Sequence, residues 1–143
     1  MRGSREGTGL ASILIADDDP TVRMIACEML RDGDYAIIEA ADGDLAMQVI
    51  ERVPIDLVVL DLLMPNRDGL EVIRTIRQSH PGIRILAISS GGRASAVSYL
   101  ETARVFGADE VMAKPLRMVS FVAAVERLLQ APSRQNGPWA LAG

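Results

Sequence analysis

The chain has 143 residues, 15 Lys+Arg against 19 Asp+Glu for a net charge of −4, and 49% hydrophobic residues. That length and apolar content suffice for one self-supporting domain and exclude a disordered chain. A mildly acidic balance without any run of Lys or Arg argues against nonspecific nucleic-acid binding. A single cysteine, Cys27, excludes an internal disulfide, and a single histidine, His80, argues against a zinc site or a Ser-His-Asp triad. Aromatic residues make up only 3%, so the core has to be built from Ile, Leu, Val, Met and Ala.

Residues 1–11 are polar and glycine-rich, with Arg2 and Arg5 but no apolar stretch behind them. They read as a flexible lead-in rather than a signal peptide, and no later run is long enough to span a membrane, so a cytoplasmic protein is expected. A strand is expected near 13–17, followed by a helix that Asp19 caps and Pro20 opens, with Val22, Ile25, Met29 and Leu30 on its buried face. A second strand near 35–39 leads to a helix near 43–52 that buries Leu45, Ala46, Val49 and Ile50 and ends before Pro54. The third strand, near 56–61, precedes a helix near 70–79 carrying Leu70, Ile73 and Ile76, stopped by Pro81-Gly82. The fourth strand, near 84–89, leads to an Ala-rich helix near 94–106 closed by Gly107. The last strand, near 110–113, precedes a helix over 118–130 that buries Phe121, Val122, Val125, Leu128 and Leu129. Residues 131–143 contain Pro132, Gly137 and Pro138, show no periodicity, and read as a flexible tail or linker stub.

Strands apolar along their whole length are buried on both faces, which implies an α/β domain over 12–130: a parallel five-stranded sheet between two layers of helices. For a chain of this size the flavodoxin-like strand order 2-1-3-4-5 is expected, with the ligand beyond the carboxyl ends of strands 1 and 3. Four apolar runs end on polar groups suited to one chemistry: Asp17-Asp18-Asp19, Asp61, Ser89-Ser90 and Lys114-Pro115. Gathered carboxylates repel by roughly 4 kcal/mol per pair at 4 Å and an effective dielectric of about 20. Mg²⁺ relieves this with hard oxygen ligands. A carboxylate is also a competent nucleophile toward phosphorus, and Lys114 and the Ser89 hydroxyl are suited to stabilising phosphoryl oxygens. Asp19 reads as a helix cap, Asp17 and Asp18 as metal ligands, and Ser89 is preferred to Ser90 as the hydroxyl. Gly7-Thr8-Gly9 precedes a strand and fails the context for a dinucleotide loop. Cys27 reads as a packed helix residue and His80 as a surface residue at a helix end.

Ile15-Ala16-Asp17-Asp18, the segment Asp61-Leu62-Leu63-Met64-Pro65-Asn66-Arg67-Asp68-Gly69, Ser89-Ser90, Gly107-Ala108-Asp109 and Lys114-Pro115 occur in an order and spacing that resembles the receiver domain of a two-component response regulator. The resemblance runs over about 12–130. It implies Asp61 as acceptor of a phosphoryl group from a sensor histidine kinase or a histidine phosphotransfer protein. It implies Mg²⁺ held by Asp17 or Asp18, by Asp61 and by the backbone carbonyl of Leu63. It implies Ser89 as the switching hydroxyl and Lys114 as the phosphate-sensing ammonium. Members of the family often carry an aromatic residue where this chain has Val111, so a side-chain flip is unavailable there. Backbone movement is then expected to carry the signal to a face that includes Tyr99, Arg104, Val111 and Arg117. Gly91-Gly92 adds flexibility to the loop after Ser90.

The leading reading is thus a phospho-accepting signalling module without a separate output domain, not an enzyme, that docks a downstream protein, passes the phosphoryl group on or is a fragment of a larger regulator, and contacts neither nucleic acid nor membrane. An aspartyl-nucleophile phosphohydrolase is the alternative, since Asp17 and Asp19 have the two-residue spacing such enzymes use; a third reading is an interaction module of the same fold that has lost phosphorylation.

Overall fold

The computed structural model describes residues 9–90 and 93–131. The expected lead-in before Gly9, the Gly91-Gly92 loop and most of the expected tail, with Trp139, fall outside the described residues.

Five strands and five helices alternate: β1 (Ala11–Ala16), α1 (Pro20–Met29), β2 (Tyr35–Ala40), α2 (Gly43–Arg52), β3 (Leu57–Asp61), α3 (Gly69–Ser79), β4 (Arg84–Ser89), α4 (Arg93–Phe106), β5 (Glu110–Ala113) and α5 (Met118–Gln130). All strand pairings are parallel, in the order β2-β1-β3-β4-β5. This is the flavodoxin-like arrangement anticipated from the apolar runs. β1 starts at Ala11, which pairs with Tyr35.

The pleat sends alternate residues to opposite faces, and two cores result. Leu14, Val58, Leu60, Ile85 and Ala87 face α2, α3 and α4, joining Ala46, Ile50, Val72, Ile73, Ile76 and Ala103. Ile13, Ile15, Leu57, Val59, Leu86 and Ile88 face α1 and α5, joining Ala26, Leu30, Phe121, Val125 and Leu128. At about 25 cal/mol per Å² of apolar surface removed from water, this double burial is what holds the sheet.

The helix starts follow the local chemistry. Asp19 caps α1, accepting from the Thr21 N–H at 2.9 Å, with Pro20 in the first helical turn. Asp42 caps α2 through the Leu45 N–H at 2.8 Å, and Asp68 caps α3 through the Leu70 N–H at 2.9 Å. Two expected core residues are not buried: Ile25 is 40% exposed and Leu45 is 42% exposed. In α1, Ala26 and Leu30 seat against the sheet, which turns Ile25 toward Pro115 and Leu116. In α2, Ala46, Met47 and Ile50 make the contact, leaving Leu45 beside Arg23 and Glu39 on the outer side of β2.

Candidate functional site

The parallel sheet brings four strand ends to one edge. The register sets Ala16 beside Leu60, Asp61 beside Ile88 and Ser89 beside Ala113. Asp17, Asp61, Ser89 and Lys114 therefore emerge side by side, each delivered by the apolar run before it.

Asp17 is fully buried. Its N–H donates to the Ala40 carbonyl at 3.1 Å, and its Oδ1 accepts from the Asp19 N–H at 2.9 Å. Its remaining oxygen, Oδ2, has no hydrogen-bond partner among the described residues. Lys114 Nζ stands 2.8 Å from that oxygen, an ion pair by distance that lacks hydrogen-bond angles. Asp61 is 2% exposed; its Oδ1 accepts from the Leu63 N–H at 3.2 Å and its Oδ2 lies 3.4 Å from Lys114 Nζ. Asp18 is exposed at the mouth of the site, and one oxygen from each of Asp17, Asp18 and Asp61 falls within 4.8 Å of the others. Asp19 is outside this cluster, as its capping role requires.

Burial, and then the neighbouring Asp17 charge, push the Asp61 carboxyl from 3.8 up to about 6, against the opposing pull of the Leu63 N–H and Lys114. For Lys114, burial works to lower the pKa, but hydrogen bonding and charge from Asp17 and Asp61 outweigh it and raise the pKa above its ordinary value. Lys114 is thus held as an ammonium, one cation facing several carboxylates. The Asp17 oxygen, left to a single ion pair, and the raised Asp61 carboxyl both indicate that the cluster suits additional positive charge. A hard divalent ion such as Mg²⁺ fits an all-oxygen set of this kind.

Ser89, the last residue of β4, is fully buried; its hydroxyl donates to the Ser90 carbonyl at 3.2 Å, and its own carbonyl accepts from the Lys114 N–H at 2.9 Å. Ser90 is exposed. The Lys114-Pro115 bond is cis. Of the expected output residues, Arg104 and Arg117 are exposed, whereas Tyr99 and Val111 are half-buried and pack against the α2–α3–α4 core. Tyr99 also borders the groove that runs from Asp18 along the loop after Asp61. Cys27 is half-buried on α1, where burial and Glu39 push its thiol up. His80 is half-buried at the end of α3, away from the strand ends.

Sequence reasoning missed the side chains that hold the site from behind. Arg23, on α1, donates through Nε to Glu39 at 2.9 Å and through a terminal nitrogen to the Asp17 carbonyl at 2.6 Å. Asn66 donates to Asp42 at 2.9 Å, and Arg67 to Asp44 at 3.1 Å, tying the β3–α3 loop to α2. No local periodicity marks these pairs; an Asp directly before a helix was the only available hint, at Asp42.

The family model described as "Response regulator receiver domain" matches residues 13–126. The chain is 34% identical over 129 residues to the transcriptional regulatory protein ResD of Bacillus subtilis (strain 168), covering 90% of this chain and 52% of that protein. It is 35% identical over 127 residues to the response regulator MprA of Mycobacterium sp. (strain KMS), covering 88% and 54%. The crystal structure of a putative response regulator from Chloroflexus aurantiacus J-10-fl superimposes with a TM-score of 0.79 at 29% identity, covering 85% of this chain and 99% of that one. The chain spans about half the length of those two curated relatives.

Proposed function

The chain belongs to the response regulator receiver domain family, and from that premise we propose that it is a signalling module, spanning 12–130, that takes a phosphoryl group from a histidine onto Asp61. The observation that carries the reading is Asp61 itself: a buried carboxylate at a strand end, within 3.4 Å of Lys114 Nζ and grouped with Asp17 and Asp18.

In the proposed step a carboxylate oxygen of Asp61 attacks phosphorus in line with the leaving imidazole nitrogen. The O–P bond forms as the N–P bond breaks, and the departing imidazole takes up a proton from solvent. Mg²⁺ held by Asp17, Asp18, Asp61 and the Leu63 carbonyl would supply positive charge for the phosphoryl oxygens. Lys114 exchanges its contact with Asp61 for a phosphoryl oxygen while keeping Asp17. Ser89 turns its hydroxyl from the Ser90 carbonyl to the same group.

A sensor histidine kinase or a histidine phosphotransfer protein is the donor in this reading, and the altered face around Tyr99, Arg104, Val111 and Arg117 meets a downstream protein. We place the module in the cytoplasm; no helix among the described residues is long and apolar enough to cross a membrane. The phosphohydrolase alternative needs Asp19 as a catalytic acid, but its Oδ1 is engaged in capping α1.

Acetyl phosphate with Mg²⁺ should add one phosphoryl group, labile to base and hydroxylamine, and Asp61→Asn should not be labelled. Labelling that survives in Asp61→Asn, or maps to a serine, overturns the assignment.

A further inference from the structure

The loop between β3 and α3 carries the Leu63 carbonyl assigned above to the metal, and its backbone is anchored mainly at its ends. Leu62 N–H donates to the Ile88 carbonyl at 3.0 Å, and Gly69 N–H returns to the Leu62 carbonyl at 3.2 Å. Between these points Asn66 has φ +73°, the sole positive-φ non-glycine among the described residues. Asn tolerates this left-handed conformation better than most residues, but such positions persist only where the surroundings determine them. Here the Arg67 N–H bond to the Pro65 carbonyl at 2.9 Å closes a tight turn around Asn66, Arg67 Nε holds Asp44 at 3.1 Å, and Asn66 itself adds one side-chain hydrogen bond. Asn66 Nδ2 donates to Asp42 Oδ2 at 2.9 Å, while Asp42 Oδ1 caps α2 through the Leu45 N–H. The approach is close. A Cβ on Gly43 would stand 2.7 Å from Arg67 Cβ and 2.8 Å from the Arg67 carbonyl oxygen, so the first residue of α2 has to be glycine for the loop to lie there.

We propose that Asn66, through its amide hydrogen bond to Asp42, is a positioning residue that holds the β3–α3 loop against α2 and thereby sets the Mg²⁺ affinity and phosphoryl uptake of the acidic site. The inference rests on the Asp61 reading. Asp42 and Asn66 are 24 residues apart, and the bond makes the start of α2 part of the frame that holds the loop. Orienting groups behind a metal ligand commonly alter affinity by about tenfold or more when removed.

Three proteins of equal net charge test it: the parent, Asn66→Gly, and the double exchange of Asp42→Asn with Asn66→Asp. Glycine keeps the left-handed backbone and removes the amide. The exchange reverses the bond: the amide introduced at position 42 donates to the carboxylate introduced at position 66, while the oxygen of that amide still caps α2. Mg²⁺ affinity is read by titration calorimetry, and labelling by acetyl phosphate is separated into its saturation constant and maximal rate. Asn66→Gly should weaken Mg²⁺ by about tenfold, and the exchange should return it to within about threefold of the parent. The metal-free melting temperature should change little in either variant, which a merely structural role would not produce. Parental Mg²⁺ affinity in Asn66→Gly overturns the proposal, as does an exchange protein as weak as Asn66→Gly. If the parent binds Mg²⁺ but Asp61 is never labelled, the phosphoacceptor reading fails, while the Mg²⁺ comparison still decides the role of Asn66.

Discussion

Between the unfolded value of 3.8 and the folded value of about 6, the Asp61 carboxyl binds more protons in the folded protein than in the unfolded chain. Folding stability therefore falls as pH rises through that window, and the full cost of about 3 kcal/mol is present above it. In metal-free protein, Asp61→Asn removes the charge and should raise the melting temperature by several degrees at about pH 7.5, with the gain shrinking toward about pH 4. Calorimetry in a chelator across that range checks the sign; a gain that grows on acidification refutes it. Mg²⁺ bound at the acidic cluster would relieve the same repulsion. At 100 times its Kd it should stabilise the parent by about 2.7 kcal/mol, and Asp18→Ala should blunt that response. A melting curve of the parent that ignores millimolar Mg²⁺ contradicts the acidic-site assignment.

The elements are locked together by a second charged group, at the ends of β4 and β5 opposite to the acidic site. Arg77, near the end of α3, donates to the Gly107 carbonyl at 2.8 Å, the Ile83 carbonyl at 2.7 Å and Asp109 at 2.6 Å, and Asp109 also accepts from the Ile85 N–H at 2.8 Å. Both side chains are only 12% exposed. α3 is thereby fastened to the starts of β4 and β5, and the end of α4 is held at Gly107, whose φ of +124° suits glycine. Asp109→Ala strands the guanidinium among carbonyls and removes a partner from the Ile85 N–H, at a cost of about 3–5 kcal/mol. Urea denaturation should show this loss, with a smaller one for Asp109→Asn, which retains an acceptor. Equal and negligible shifts in both variants would mean that the clasp adds nothing to stability.

Over the whole molecule, the proposed phosphoryl group would add charge and strong acceptor oxygens at one sheet edge and so bias two pre-existing arrangements of the domain. Lys114 and Ser89 lie at the ends of adjacent strands joined by the Lys114 N–H bond to the Ser89 carbonyl, so movement of one displaces the other. Val111 packs against the core in place of an aromatic ring, so in the proposed reading the loop backbone would carry the change. Beryllofluoride with Mg²⁺ should then perturb amide signals of Tyr99, Arg104, Val111 and Arg117. A response confined to residues touching Asp61 would refute this route.

The amino-acid sequence by itself determined the layered parallel sheet and the gathering of Asp17, Asp61, Ser89 and Lys114. Runs such as Leu57–Leu60 are apolar at every position and admit burial on both faces only, and a residue directly after such a run has to lie at the sheet edge. Helix starts at Asp19-Pro20 were legible for a similar reason, since capping is chemistry between neighbours in the chain. Only the tertiary structure decided that Ile25 and Leu45 stay exposed, because which side of a helix is seated depends on the shape of the sheet beneath it. It alone paired Arg23 with the Asp17 carbonyl and Asn66 with Asp42. Such polar contacts join residues with no periodic relation in sequence, and they form only after the apolar layers have fixed the distance between them.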